Sequence, residues 1–143
     1  MSEHATYANG SFCWNELSTT DDAAAIRFYT ELLGWQIKSS EVGASCEGSE
    51  AAPGPTMVYN EIVVGGRHVG GIYKMGPESG GAPPHWMSYV AVDDVDEKAR
   101  RVTELGGSVC VPPTDIPNTG RFCVINDPTG ATISLITLSG AQS

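Results

Sequence analysis

Apolar residues along this chain follow two patterns, a helical one recurring every three or four positions and a run or alternation typical of strands, and the succession of the two occurs twice. The first helical stretch is DDAAAIRFYTELLG: Ile26, Tyr29 and Leu33 form one face with Leu32 beside it, Thr20 or Asp21 is placed to cap the start, and Gly34 supplies a left-handed stop. The second is DVDEKARRVTELGG, with Asp94 as N-cap, Val95, Ala99, Val102 and Leu105 on one face, and Gly106 as the stop. This spacing predicts helices over about residues 21 to 33 and 95 to 105, each lying on a sheet.

Each helix is preceded by a strand-like run, around Trp14 and Met87, and followed by three more. In the first half these are Trp35 to Glu41, then Val58 to Val64 and Arg67 to Met75 joined by Gly65-Gly66, a dipeptide suited to the positive φ angles of a tight hairpin. In the second, Ser108 to Val111 ends at Pro112-Pro113. Arg121 to Asn126 and Ala131 to Leu138 then flank Asp127-Pro128-Thr129-Gly130, whose residue order suits a type I turn. The halves also match residue by residue. Laying Trp14 on Met87, an offset of 73, puts Leu17 on Val90, Arg27 on Arg100 and Thr30-Glu31-Leu32 on Thr103-Glu104-Leu105, the mark of an internal duplication. The expected fold is α+β: one domain over 1–143, made of two βαβββ modules at about 11–75 and 85–138, with 76–84 as linker. The stretches Val42 to Met57 and Pro112 to Gly120 read as solvated connections, or as lids over a binding site.

Composition narrows the function. With 143 residues, 41% of them apolar, the chain fills one core and no second domain. A formal charge of -9, from 17 acidic against 8 basic residues, argues against nucleic acid and against an anionic membrane surface. The start MSEHATYANGSF has no leader character and no stretch has the length of a membrane span, so a cytoplasmic location is expected. Cys13, Cys46, Cys110 and Cys123 are widely spaced without a CxxC pair and read as buried free thiols. There is no nucleophilic triad, and the glycine pairs lack the context of a phosphate loop or dinucleotide fingerprint.

A duplicated βαβββ unit carrying DDAAAIRFYTELLGW, VAVDDVDEKARRVTELGG and NDPTGATISLITL resembles the vicinal oxygen chelate superfamily, which includes glyoxalase I, bleomycin-resistance proteins and extradiol dioxygenases. The resemblance runs from about Phe12 to Leu138 and implies a curved mixed sheet around a central cavity. In metal-dependent members the first strand of each unit offers a ligand, commonly His, and the last strand a Glu. Those positions fall here on Trp14 and Met87, on Ser134, and near Gly71 to Tyr73. Trp does not coordinate, Met suits soft ions and Ser rarely ligates unaided, so the resemblance implies a domain without the standard metal. Among His4, His68 and His85, only His85, two residues ahead of Met87, is placed to rebuild a site, with Glu16 and Glu61.

Strand alternation then supplies the candidate ligand-binding residues: Trp14 and Glu16 from one opening strand, Met87 and Tyr89 from the other, Ser134 and Ile136 from the last strand, and Tyr73. Trp14 can stack on a planar or cationic ligand and Glu16 can pair with a positive group on it. The alternatives are that Glu16 bonds helix N–H groups or serves as a general base, and that Trp14 and Met87 only fill a core. The expectation is a small-molecule-binding protein without a cofactor, in the manner of the bleomycin-resistance branch. The alternative is a lyase, isomerase or dioxygenase using Zn, Ni, Mn or Fe on displaced ligands, and a third reading is a subunit of a larger assembly. A symmetric homodimer is expected from the open sheet edges.

Overall fold

The computed structural model describes residues 7–42, 57–76, 81–116 and 119–138, so the centre of the first long loop, part of the linker, His4 and Cys46 lie outside the described residues. The elements run β1 (Phe12–Thr19), α1 (Asp22–Leu33), β2 (Gln36–Val42), β3 (Met57–Val64), β4 (Arg67–Lys74), β5 (His85–Ala91), α2 (Val95–Glu104), β6 (Ser108–Ile116), β7 (Gly120–Asn126) and β8 (Thr132–Leu138). This is the predicted βαβββ order, twice. Compactness divides the chain into residues 15–86 and residues 87–143 with 1–14, and strand β1 passes from one unit to the other after Trp14.

In the unit of residues 15–86 the strand order is β2-β3-β4-β1. Strand β1 runs parallel to β4, pairing Glu16 with Gly71 and Ser18 with Tyr73, while β2, β3 and β4 are antiparallel neighbours. The β3–β4 hairpin turns at Gly65 and Gly66, with φ of 59° and 80°, values that side chains resist. Leu17, Ile62 and Ile72 are buried on one sheet face beneath Ala25, Ile26 and Tyr29 of α1, with Trp35 and Ile37 at the side. Asp21 caps α1 by accepting from the Ala24 N–H at 3.0 Å, and Gly34 ends it at φ 75°. Buried Asn60 ties three neighbouring strands together: its amide donates to the Ile72 carbonyl at 3.0 Å and its carbonyl oxygen accepts from Ser39 at 2.5 Å. Leu33, expected on the inner face, is exposed, as is Leu32. Trp35 stacks on Tyr29 with ring centroids 5.1 Å apart and packs against the core beside α1, while Leu33 lies outside that cluster.

In the other unit the order is β5-β8-β7-β6, with β5 parallel to β8 and the rest antiparallel. Residues before β1 belong here: Gly10 donates to the Ala91 carbonyl at 2.7 Å and Ala91 to the Ser11 carbonyl at 2.8 Å. Val95 and Ala99 of α2 pack on Cys123, with Val92, Ile125 and Leu135 around them. The Thr137 hydroxyl pins the start of α2 to β8, accepting from the Val95 N–H and donating to the Val92 carbonyl, both at 2.9 Å. At the other end of α2, Leu105 is the C-cap and is exposed, a correction to its expected place on the inner face. Strand β6 does not stop at Pro112-Pro113 but continues to Ile116. It is the edge strand of its unit, its pairing slips between Val111 and Thr114, and there the missing proline N–H groups cost no ladder bond. Cys123 is buried as expected, whereas Cys110, on that edge, is exposed.

Candidate functional site

Because Leu17 and Ile72 lie under α1, alternation turns Glu16, Tyr59, Gly71 and Tyr73 to the opposite face of the first sheet. Both Glu16 on β1 and Glu61 on β3 are register partners of Gly71 on β4. The absence of a side chain at Gly71 is what lets Tyr59 lie across it: a Cβ there would sit 1.9 Å from the phenol oxygen. Laid over the glycine, Tyr59 donates to the Glu16 carboxylate at 2.8 Å, and its ring is stacked near that of Tyr73, with centroids 6.4 Å apart and planes 27° from parallel. Two residues along β3, Glu61 is held by His68 Nδ1 at 2.5 Å.

The corresponding face of the second unit carries Met87, Tyr89, Phe122, Val124, Ser134 and Ile136. Ser134 is flanked in register by Tyr89 on one side and Val124 on the other. Tyr89 and Phe122 tilt toward each other, with centroids 6.4 Å apart at 50°. Ser134 has no solvent exposure, and its hydroxyl is the buried side-chain polar atom among the described residues that has no hydrogen-bond partner. Burying a hydroxyl without a partner costs about 1–3 kcal/mol, which sets Ser134 apart from the other buried polar side chains described.

Of the sequence candidates, Trp14, Met87, Tyr89, Ser134 and Ile136 fall in one unit and Glu16, Tyr73 and His85 in the other. Trp14 is half-buried near the start of β1. The structure joins Tyr89 to Ser134 as register partners and joins Glu16 toward Tyr73 through Tyr59. His85 is turned to the backbone instead, its Nδ1 2.8 Å from the Pro83 carbonyl, and no group of three or more potential ligands gathers around a common point among the described residues. Sequence reasoning missed Tyr59, Phe122 and the Glu61–His68 pair. Alternation along β3 puts Tyr59 and Glu61 on one face, but which residue they meet depends on strand register, which alternation leaves open.

Charge elsewhere braces the scaffold. Arg121 on β7 grips Asp96 of α2 in a bidentate pair at 2.9 and 3.1 Å and reaches Asp115 at 3.0 Å. That guanidinium holds the Asp96 carboxyl below its ordinary value, and the carboxylates raise Arg121 in turn. In the β7–β8 turn, the Thr129 side chain and then the Ala131 N–H lower Asp127 in the same way. Burial alone pushes the Cys13 thiol up to about 11, which leaves it a poor nucleophile at neutral pH.

The sequence model of the Glyoxalase/Bleomycin resistance protein/Dioxygenase superfamily matches residues 10–135. The chain belongs to this superfamily. Among curated superfamily relatives, the protein named "Putative glyoxylase CFP32" of Mycobacterium bovis is 39% identical over 136 residues, covering 94% of this chain and 48% of that protein. The anthracycline biosynthesis protein DnrV of Streptomyces peucetius is 32% identical over 137 residues, covering 90% of this chain and 47% of that protein. This chain therefore spans about half the length of the curated relatives it matches. Methylmalonyl-CoA epimerase from Mycobacterium tuberculosis superposes with a TM-score of 0.59 at 16% identity, covering 97% of both chains, which establishes the shared fold.

Superfamily membership makes the fit of a metal testable on the residues present. Glu16 and Tyr89 stand 73 positions apart, the offset at which the two halves match, and Glu16 pairs with Gly71 as Tyr89 pairs with Ser134, so in register Gly71 is the counterpart of Ser134. The ligand positions that the resemblance implies thus fall on Trp14, Met87 and Ser134 in one unit and on Gly71 in the other. This set offers no side chain, an indole, a soft thioether and a neutral hydroxyl, and it does not fit a hard divalent ion. Tyr59 moreover covers the Gly71 position.

Proposed function

We propose that this domain is a small-molecule-binding member of its superfamily that holds its ligand through side chains instead of the metal of the metal-dependent members. The observation that carries this reading is the Ser134 hydroxyl, fully buried and without a partner among the described residues, on a face walled by Tyr89, Phe122 and Ile136. A mostly apolar wall with one or two polar groups that fix orientation is the usual make-up of a ligand site. Ser134 both donates and accepts, so it suits a ring-bound oxygen or nitrogen, while the aromatic walls favour a flat ligand. The word anthracycline in the name of a relative makes fused aromatic rings bearing oxygen the class to try first.

Titration with 2-naphthol against 2-methylnaphthalene, of nearly equal shape, tests it through thermal shift and tryptophan fluorescence. The hydroxylated ring is expected to bind more tightly, by roughly tenfold, and Ser134→Ala to erase that preference while the hydrocarbon binds as before. Equal binding of the two probes to the natural chain, or binding of neither, would overturn the reading.

A further inference from the structure

We propose that His68, held by Glu61, is a proton-accepting site for a ligand that carries an acidic hydroxyl, a phenol or an enol, beside Tyr59 on the first sheet. The pair lies in the unit of residues 15–86, whereas Ser134 belongs to the other, so this site does not rest on the one proposed above.

His68 reaches Glu61 through an irregularity in β4. Ile62 pairs with Gly70 but Val63 pairs with His68, which leaves Val69 over as a bulge, 41% exposed. Strict alternation would put His68 on the α1 side with Gly70 and Ile72. One extra residue reverses that and turns the imidazole to the face that carries Tyr59, Glu61 and Gly71. Bulges recur beside functional sites, where they re-aim a side chain. The β7–β8 ladder of the other unit runs from Gly120 to Asn126 without a slip, and the places corresponding in register to Glu61 and Tyr59 hold Val124 and Phe122. The fold itself therefore does not require the pair.

Glu61 also passes over a simpler partner. Lys38 stands beside it in register on β2, yet no ion pair joins the two, and Glu61 bonds His68 Nδ1 at 2.5 Å instead. A carboxylate only accepts, so Nδ1 carries the proton of that bond and, in the neutral ring, Nε2 keeps its lone pair. Nε2 has no partner among the described residues, and the imidazole side chain is 15% exposed, shielded but within reach of a ligand. Tyr59 stands two residues from Glu61, about 7 Å along β3, and with Tyr73 stacked near it supplies an aromatic wall for a flat ring.

In the proposed step the ligand O–H gives its proton to Nε2 and the electron pair of that bond stays on the ligand oxygen. The imidazolium so formed is balanced by the Glu61 carboxylate, and the proton returns on release. The other charged or titratable groups at neighbouring strand positions are Lys38 on β2, Tyr59 on β3, Arg67 and Tyr73 on β4 and Glu16 on β1. Lys38 and Arg67 favour the ligand anion, and Glu16, which accepts from Tyr59, opposes it.

The probe is 4-nitrophenol, whose anion alone absorbs visible light, with its methyl ether 4-nitroanisole as the form that has no proton to give. At a pH about one unit below the probe's midpoint in water, where roughly a tenth is ionised, the bound probe should be mostly anion. His68→Gln should abolish that band. Glu61→Gln should return the bound probe's midpoint toward its value in water, because Glu61 is a positioning residue that acts through His68, and His85→Gln should change nothing. The ring nitrogen-15 resonances of His68 in the natural chain keep the test decisive where a variant fails to fold: 4-nitrophenol should convert Nε2 from a lone pair to an N–H, and 4-nitroanisole should not. A pair that only braces the β3–β4 hairpin would leave the bound probe neutral. That result, absence of binding, an anion band that survives His68→Gln, or His68 nitrogens indifferent to the probe would each overturn the proposal.

Discussion

The two modules share one order of elements yet differ in what they bury and in what they leave open. Below its sheet, α2 buries Val95, Ala99 and Val102 and turns charge outward, whereas no residue of α1 is fully buried and its outer side stays apolar. On the opposite sheet faces, Gly71 and Ser134 hold equivalent places in register. The first is covered by Tyr59, which bonds Glu16, and the second keeps a buried hydroxyl with no partner among the described residues. The difference teaches that one place in a repeated register can be settled in two ways: by a ring laid across it from a neighbouring strand, or by a buried hydroxyl that no described residue satisfies.

Adding or removing one small group at these two equivalent places should have opposite consequences. Gly71→Ala forces the Tyr59 ring off its seat and should destabilise the fold by roughly 1–3 kcal/mol, measured by urea unfolding. Ser134→Ala removes an unsatisfied hydroxyl from the interior and should be neutral or stabilising, by up to about 1 kcal/mol. Equal losses at both positions would erase the contrast. A smaller effect isolates the hydrogen bond from the ring: Tyr59→Phe keeps the cover over Gly71 but removes the bond to Glu16, at a cost of about 1 kcal/mol.

The contrast between the faces was only half legible in the sequence. The βαβββ order, both helices, the caps Asp21 and Asp94 and the turns at Gly65-Gly66 and Asp127 to Gly130 are local matters of spacing and backbone chemistry, and they stand as read. Leu33 and Leu105 were misplaced because periodicity knows the side of a helix but not where the sheet beneath it ends. Strand β6 ran past its prolines because an edge tolerates what a central strand does not. At the site, alternation assigned Glu16, Tyr89 and Ser134 to faces, but Tyr59 reaches Glu16 from 43 residues away, a meeting fixed by the β3–β4–β1 register.

The smallest expected effect concerns acid. Asp96 and Asp127 are held below their ordinary value by Arg121 and by the Thr129 side chain, respectively. A carboxylate depressed in the folded chain adds stability that is complete above its unfolded value near 3.8 and is lost as pH falls through the folded value. Unfolding midpoints from neutral pH down to pH ~3 should therefore decline less steeply in Arg121→Gln than in the natural chain. Identical acid profiles would show that the Arg121 bridge does not couple α2 to β7.

The most direct test of a side-chain site in place of a metal is retention of metal by the purified protein after equilibration with Zn, Ni, Mn and Fe ions and dialysis, paired with melting curves with and without chelator. With Trp14, Gly71, Met87 and Ser134 at the four positions, no ion should be retained in near-stoichiometric amount and EDTA should leave the melting temperature unchanged, since no metal contributes binding free energy to the native state. One tightly held ion per chain, with a melting temperature that falls on chelation, would contradict it.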